Sequence, residues 1–273
     1  MIQAGRSFYK MSGSGNDFVF VDARAEEPGR LAEPPVIQMI CARGTGVGAD
    51  GIVFLLPAKA ALIRMRYLNS DGSLAALCGN ATLCATRLAI ELGIGGSEEF
   101  DIETDSGVVR ARMHVGRPEI DLQAAEDVQE CYEADLVAGE RRIGFAQVGV
   151  PHLIVLCDDV ERADVAARGR RLRNDRGLAQ GANVNFVSRS GNASWRLRTY
   201  ERGVEAETLA CGTGAVATAE LLTVWGEAEG PVSLETRSGR SLGVRFRVDR
   251  GAREPSLAGE ARIVFVGRLS ELG

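Results

Sequence analysis

The chain is short of the residues that the common metal and nucleotide chemistries require. It has only two histidines, His114 and His152, and none of its six cysteines, Cys41, Cys78, Cys84, Cys131, Cys157 and Cys211, falls in a C-x-x-C pair. A structural zinc site is therefore not expected. Basic residues are outnumbered, with a net charge of −5 and a pI near 5.3, and Lys and Arg do not cluster among aromatics. That excludes the electrostatic footprint of a nucleic-acid binder. No apolar run approaches the ~20 residues of a membrane span, and the opening MIQAGRSFYKMSGSG lacks the apolar core of a signal peptide. No G-x-G-x-x-G follows a strand-like segment, so a Rossmann unit is not supported. These absences predict a cytoplasmic protein whose partner is a small molecule, with no membrane and no nucleic acid. In a reducing compartment its cysteines are not expected to form structural disulfides. What is there is ordinary globular material, 45% hydrophobic and 25% charged over 273 residues, enough for two modest domains.

The chain repeats itself. With residue 67 laid over residue 200, YLNSDGSLAALCGNATLCATRLAIELG aligns with YERGVEAETLACGTGAVATAELLTVWG, so that Cys78 meets Cys211 and Gly93 meets Gly226. The same offset of 133 carries GADGIVF at 48 onto GANVNFV at 181, and a nearly equal one carries ETDSG at 103 onto ETRSG at 235. Matches in one order at one offset indicate duplication, with a period far too long for a solenoid. The expected fold class is α+β: two pseudo-symmetric domains, each a mixed or antiparallel sheet wrapped around a central helix. Residues 1–121 form the first half and 122–261 the second, and a last strand over 262–273 packs back onto the first. Apolar, β-branched segments at Phe18–Val21, Ile52–Leu55 and Ile63–Leu68 read as strands. A helix opens at each Cys-Gly and stops at Gly93 or Gly226; its buried side is Leu83, Leu88, Ile90 and Leu92 in one copy, and Val216, Leu221, Leu222 and Val224 in the other. Hairpins turning at Ser-Gly follow.

If the two equivalent domains face each other across a pseudo-twofold axis, their Cys-Gly helix mouths would flank one ligand, and that suggests a chemistry. The small residues after each cysteine leave the first backbone N–H groups of the helix open to an anion such as a carboxylate, and the positive helix end favours a thiolate. A carboxylate held between two such ends, with a sulfur on either face of its α-carbon, is arranged for racemisation: one thiolate removes the α-proton and the opposite thiol delivers another. No pyridoxal-phosphate signature or metal cluster is present to spread the carbanion charge, so no cofactor and no metal are expected and backbone donors must carry it. Cys41, Cys84, Cys131 and Cys157 are expected simply to pack, as free cysteines usually do.

At these residues the sequence resembles the diaminopimelate epimerase family. MSGSGNDFVFVD, GVGADG, NSDGSLAALCGN, GVPH, GANVNFV and ERGVEAETLACGTGA carry the resemblance over nearly the whole chain. It implies that Cys78 and Cys211 are the acid/base pair, that Gly79, Asn80, Gly212 and Thr213 cradle the reacting carboxylate with Asn16 nearby, and that Asn69, Asn183 and Arg202 hold the distal amino-carboxylate end. His152 and Glu201 match positions that tune the thiols' proton affinity, Glu201 also lying beside the substrate. It further implies conversion of LL- to meso-2,6-diaminopimelate for lysine and peptidoglycan synthesis, and a homodimer. Each residue has a plainer reading: Arg202 with Glu201 as a surface ion pair, Asn16, Asn69 and Asn183 as turn formers, His152 as a loop histidine. The chain departs from the family pattern at Val150, where an Asn is common, at Leu83, where an Arg is usual, and by one extra residue between Glu201-Arg202 and Cys211. Two alternatives stand beside the epimerase: a racemase of another amino acid, of proline, hydroxyproline or histidine type, and a thiol redox sensor or ligand-binding relative.

Overall fold

A computed structural model of the chain describes residues 5–75, 77–95, 99–191, 194–249 and 252–270. It separates into two units, one made of the residues up to Ile120 together with those from Ala258 onward, the other of Asp121–Leu257.

In the first unit a hairpin of β1 (Arg6–Gly13) and β2 (Asn16–Asp22) crosses through α1 (Pro34–Cys41) to β3 (Gly51–Leu56), which lies parallel to β2. The chain returns antiparallel as β4 (Ile63–Asn69) and adds a short β5 (Leu74–Ala75) before α2 (Gly79–Glu91). Then β6 (Phe100–Thr104) runs parallel to β4, and β7 (Gly107–His114) and β8 (Arg117–Asp121) follow antiparallel. The second unit begins with β9 (Glu126–Gln129), which pairs with β10 (Glu140–Val148). From there the order repeats: β11 (Val150–Cys157), α3 (Val165–Arg173), β12 (Asn183–Arg189) parallel to β11, β13 (Ser194–Glu201), β14 (Ala206–Thr208), α4 (Gly212–Val224), β15 (Val232–Thr236) parallel to β13, and β16 (Ser241–Asp249). After β17 (Ala252–Ala258), β18 (Ala261–Leu269) pairs antiparallel with β1, as β9 does with β10. Each unit is thus a mixed sheet with two crossover helices, the α+β fold of a duplicated chain. Residues 271–273 of the expected last strand lie outside the described residues.

Both faces of the inner strands are covered. Val19 and Val21 of β2, with Ile52 and Phe54 of β3, share a core with Val36, Ile37 and Ile40 of α1. Phe18 and Phe20 alternate to the opposite face and are buried there. Strands covered on both sides read as continuous apolar runs, which is why GIVFLL does not alternate. In the second unit Leu153, Val155, Val184 and Phe186 pack in the same way against Val165 and Leu172 of α3.

The helices α2 and α4 differ from the one-sided stripe read from sequence. Their first turns are buried all round, from Gly79 to Thr86 and, except for half-buried Thr213, from Gly212 to Leu222, whereas Ile90, Leu92 and Val224 are half-buried. Strands reach α2 from β1, β2, β4, β7 and β18, and α4 from β10, β11, β12 and β16, and small Ala, Gly, Thr and Cys side chains let them approach from every side. The threonine hydroxyls bond back to carbonyls four residues earlier, Thr82 to Cys78 at 2.9 Å, Thr86 to Thr82 at 2.8 Å and Thr218 to Gly214 at 2.7 Å, so their burial strands no donor. Gly93 and Gly226 follow the helix ends with φ of +65° and +71°, a conformation only glycine adopts without cost.

Cys41, Cys84 and Cys157 are buried as expected, but Cys131 is exposed. It precedes Tyr132, whose N–H bonds the Ile143 carbonyl at 2.8 Å; Tyr132 and Ala134 pack against the core, and Cys131 beside them faces solvent. No helix among the described residues is long and apolar enough to cross a membrane.

Candidate active site

Cys78 is the N-cap of α2, half-buried, with φ −134° and ψ 112°. That extended conformation points its carbonyl into the helix, where the Thr82 N–H and hydroxyl both bond it at 2.9 Å. Gly79 and Asn80 are the first helical residues, so their N–H groups have no carbonyl a turn earlier to bond and sit at the positive helix end. The Asn80 amide is fixed from behind. Arg43 pairs with one oxygen of Asp50 at 2.7 Å, Asp50 accepts from the Asn16 amide nitrogen at 2.9 Å, and the Asn16 oxygen accepts from the Asn80 amide nitrogen at 2.6 Å. Because a carboxylate only accepts, this chain dictates the direction of every amide in it. The outcome is a buried Asn80 Oδ1 without a partner among the described residues. Asp17 lies beside the chain; burial works against its charge, yet hydrogen bonds from Arg43 and Lys10 hold its carboxyl below the usual range. Asn69, at the end of β4, bonds within its own turn, to Ser73 Oγ at 3.0 Å, and not to the Asn16–Asn80 chain.

The second unit repeats the geometry. Cys211 is the N-cap of α4 with φ −133° and ψ 114°, and its sulfur accepts from the Gly214 N–H at 3.4 Å. The Thr213 hydroxyl lies 3.6 Å from the same sulfur. Gly212 and Thr213 open this helix as Gly79 and Asn80 open the other. His152 stands opposite Asn183 across the β11–β12 ladder and is completely buried, with its Nε2 unpartnered among the described residues. Burial first, and the positive charge of Arg202 second, lower its pKa to about 3, so it is neutral at physiological pH. The Asn183 side-chain oxygen accepts from the Arg202 backbone N–H at 2.7 Å, and the Arg202 guanidinium bonds the Gln180 carbonyl at 3.2 Å. Glu201 ends β13, opposite Ala206. Arg202 and Glu201 therefore follow one another off a strand end, and Asn183 buttresses that corner.

Three supporting residues were not singled out from sequence. Asp50 and Arg43 orient Asn16 and Asn80, and Asp50 is the repeat partner of Asn183, a signal present in the alignment of GADG with GANV. Asn185 lies behind Gly214 and binds His152, Leu153 and Thr199; its signal is a polar residue inside the apolar strand NVNFVS. Of the departures, Leu83 is fully buried in α2 and packs, and Val150 is half-buried at the start of β11. Among the described residues no three His, Cys, Asp or Glu side chains are grouped to hold a metal.

Comparison with known proteins accords with this geometry. The family model for diaminopimelate epimerase matches residues 8–125 and 144–263. A diaminopimelate epimerase of Gemmatimonas aurantiaca is 46% identical over 278 aligned positions, spanning 97% of this chain and 100% of that one. Another, of Aquifex aeolicus, is 40% identical, spanning 97% and 98%. Among solved structures, a Bacillus anthracis phenazine biosynthesis protein of the PhzF family superposes with a TM-score of 0.73 at 17% identity over 97% of this chain and 98% of that one. A hydroxyproline epimerase from Agrobacterium vitis superposes with a TM-score of 0.68 at 16% identity over 98% and 93%; at such identities the likeness is one of fold. With the family model matched across both units and relatives of this identity over nearly its full length, the chain belongs to the diaminopimelate epimerase family.

Proposed function

We propose that this chain is an isomerase that converts LL-2,6-diaminopimelate to meso-2,6-diaminopimelate with Cys78 and Cys211 as its two proton-transfer groups. The observation that carries the reading is the matched pair of N-cap cysteines, equal in backbone conformation and in place within two equivalent helices, in a chain of this family. The α-carboxylate binds the backbone N–H groups of Gly79, Asn80, Gly212 and Thr213, and the unpartnered Asn80 Oδ1, oriented through Asn16, accepts from the α-ammonium. One cysteine, as thiolate, takes the α-hydrogen. The electron pair spreads into the carboxylate, where positioned N–H donors are worth about 10²–10³ in rate each. The other cysteine, as thiol, returns a proton to the opposite face. Nothing is gained or lost but configuration, and the two sulfurs end with their protonation exchanged. No cofactor enters the scheme. Asn69, Asn183, Glu201 and Arg202 hold the distal amino-carboxylate, for which a permanently charged guanidinium fork suits the second carboxylate. Neutral His152 and the Glu201 carboxylate set the proton affinity around the thiols. On this reading the enzyme works as a cytoplasmic homodimer, and its product feeds lysine and peptidoglycan synthesis.

The test is incubation with LL-diaminopimelate in D₂O under reducing conditions without added cofactor, followed by proton NMR. Deuterium should enter the α-position as the meso form accumulates, and both Cys78→Ala and Cys211→Ala should abolish that conversion. Conversion to the meso form that survives in either variant would exclude the two-thiol mechanism. Arg202→Ala should raise KM for diaminopimelate roughly 10- to 100-fold, the value of a charged hydrogen bond. If the wild type ignores diaminopimelate but exchanges the α-proton of proline, hydroxyproline or histidine, the substrate assignment fails and the half-buried Val150 becomes the position to examine.

A further inference from the structure

Asn185 is a buried polar residue with no polar counterpart in the first repeat. At the repeat offset of 133 its counterpart is Ile52, which is fully buried on β3, and the counterpart of Gly214 is Ala81, fully buried on α2. The first unit thus fills this space with an aliphatic side chain and an alanine. The second uses a completely buried Asn185 and removes the methyl group that would collide with it: a Cβ on Gly214 would lie 2.3 Å from Asn185 Oδ1. An amide and a matching void in one copy only mark a device, not a packing habit.

Its hydrogen bonds show what the device does. Asn185 Nδ2 lies 3.2 Å from the Leu153 carbonyl and 3.1 Å from His152 Nδ1, while Oδ1 accepts from the Thr199 hydroxyl at 2.9 Å. A carbonyl can only accept, so the amide nitrogen must face Leu153; the reverse orientation would set two acceptors against each other. The same nitrogen then donates to His152 Nδ1, which must be the unprotonated ring nitrogen, and the ring proton of the neutral imidazole sits on Nε2. That ring nitrogen is the one left buried and unpartnered among the described residues.

We propose that Asn185 is a positioning residue that locks His152 in the Nε2–H tautomer, so that His152 presents a fixed hydrogen-bond donor to an anionic acceptor of the reaction, a carboxylate or a thiolate, and does not serve as a base through that nitrogen. The role of this donor in turnover rests on the isomerase reading above; the tautomer itself does not. Asn185 acts through the imidazole.

With only two histidines, His114 exposed and His152 buried, ¹⁵N-histidine labelling and long-range ¹H–¹⁵N NMR of the whole protein read each imidazole directly, His114→Gln giving the assignment. In the wild type at neutral pH, His152 Nδ1 should resonate as an unprotonated ring nitrogen and Nε2 as a protonated one. Asn185→Asp, which can only accept from Nδ1, should move the proton to Nδ1 and reduce kcat for diaminopimelate about 10²-fold or more, the usual value of a positioned proton-transfer or donor group, with a far smaller change in KM. Asn185→Ile combined with Gly214→Ala, the pairing the first unit already packs, gives a variant with a precedent in this fold. It should lose the single-tautomer signature while keeping a cooperative thermal transition. An Nδ1–H tautomer in the wild type, or an unchanged tautomer in both variants, overturns the proposal whether or not the protein turns over diaminopimelate. A wild-type tautomer as expected, without diaminopimelate exchange, would leave the lock standing and defeat the substrate reading alone. The expected tautomer shift with kcat unaltered would refute the donor role.

Discussion

The contact between Gly214 and Asn185 makes Gly214→Ala an informative perturbation. Its Cβ would stand 2.3 Å from Asn185 Oδ1, and 3.2 Å from both Asn185 Cγ and Cys211 Sγ, where 3.4–4 Å is ordinary contact. Something must move by about 1 Å, and Asn185 is buried with hydrogen bonds to three partners. Overpacking of this kind costs about 1–3 kcal/mol, and replacing glycine by alanine in a helix returns at most about 1 kcal/mol. A displacement of about 1 Å against a buried, fully bonded amide belongs at the upper end of that range, so the net expectation is a loss of about 1–2 kcal/mol. At about 2–4 °C per kcal/mol for 150–250 residues, the thermal midpoint should fall by roughly 2–8 °C, measured by calorimetry. Adding Asn185→Ile removes the clashing oxygen, so the double variant should recover most of that stability, a coupling of about 1–2 kcal/mol, while α-proton exchange stays low because the His152 contact is gone. A single variant with the wild-type midpoint, or strictly additive effects in the double variant, would refute the reasoning.

His152 links stability to pH. An unfolded imidazole binds a proton near pH 6.5, whereas the buried one resists protonation down to about pH 3. Its contribution is therefore complete above about pH 6.5 and falls by up to about 1.4 kcal/mol per unit as the pH drops toward 3. Urea melts of His152→Phe should show a shallower pH dependence between pH 6 and 4; an identical slope would count against a neutral buried ring. Arg168 and Glu140 form a two-point pair at 2.8 Å with both side chains buried. Arg168→Ala should cost about 3–5 kcal/mol in a urea melt by leaving a charge unpaired, and a loss below 1 kcal/mol would contradict the burial. Burial pushes the Cys41 thiol up to about 11 and the Cys157 thiol up to about 12, and raises Cys84 well above the ordinary range. Iodoacetamide on the native protein at pH 8 should therefore modify exposed Cys131 and spare these three, which peptide mass spectrometry will check.

How much was legible from sequence depends on how local the cause is. The two Cys-Gly helix starts and the Gly93 and Gly226 stops could be read because caps act through adjacent residues. The strands around Val19 and Ile52 could be read because burial on both faces demands an unbroken apolar run. The one-sided burial expected for α2 and α4 was too narrow, since a helix pattern does not reveal how many strands will enclose it. Cys131 was expected inside because its residue type usually is, but in the fold it faces solvent beside Tyr132, which packs against the core.

The sequence by itself determined the duplication, the α+β class and which residues stand at the helix mouths, because repetition and capping are written in short stretches. The tertiary structure alone decided how those residues are aimed. Asp50 reaches Asn16 across 34 positions and Asn185 reaches His152 across 33. Only the parallel ladders of β2 with β3 and β11 with β12 bring these segments side by side. Hydrogen-bond direction, tautomer and the lowered proton affinity of a buried imidazole depend on partners within about 3 Å, and residues distant in the chain become such partners only once it is folded.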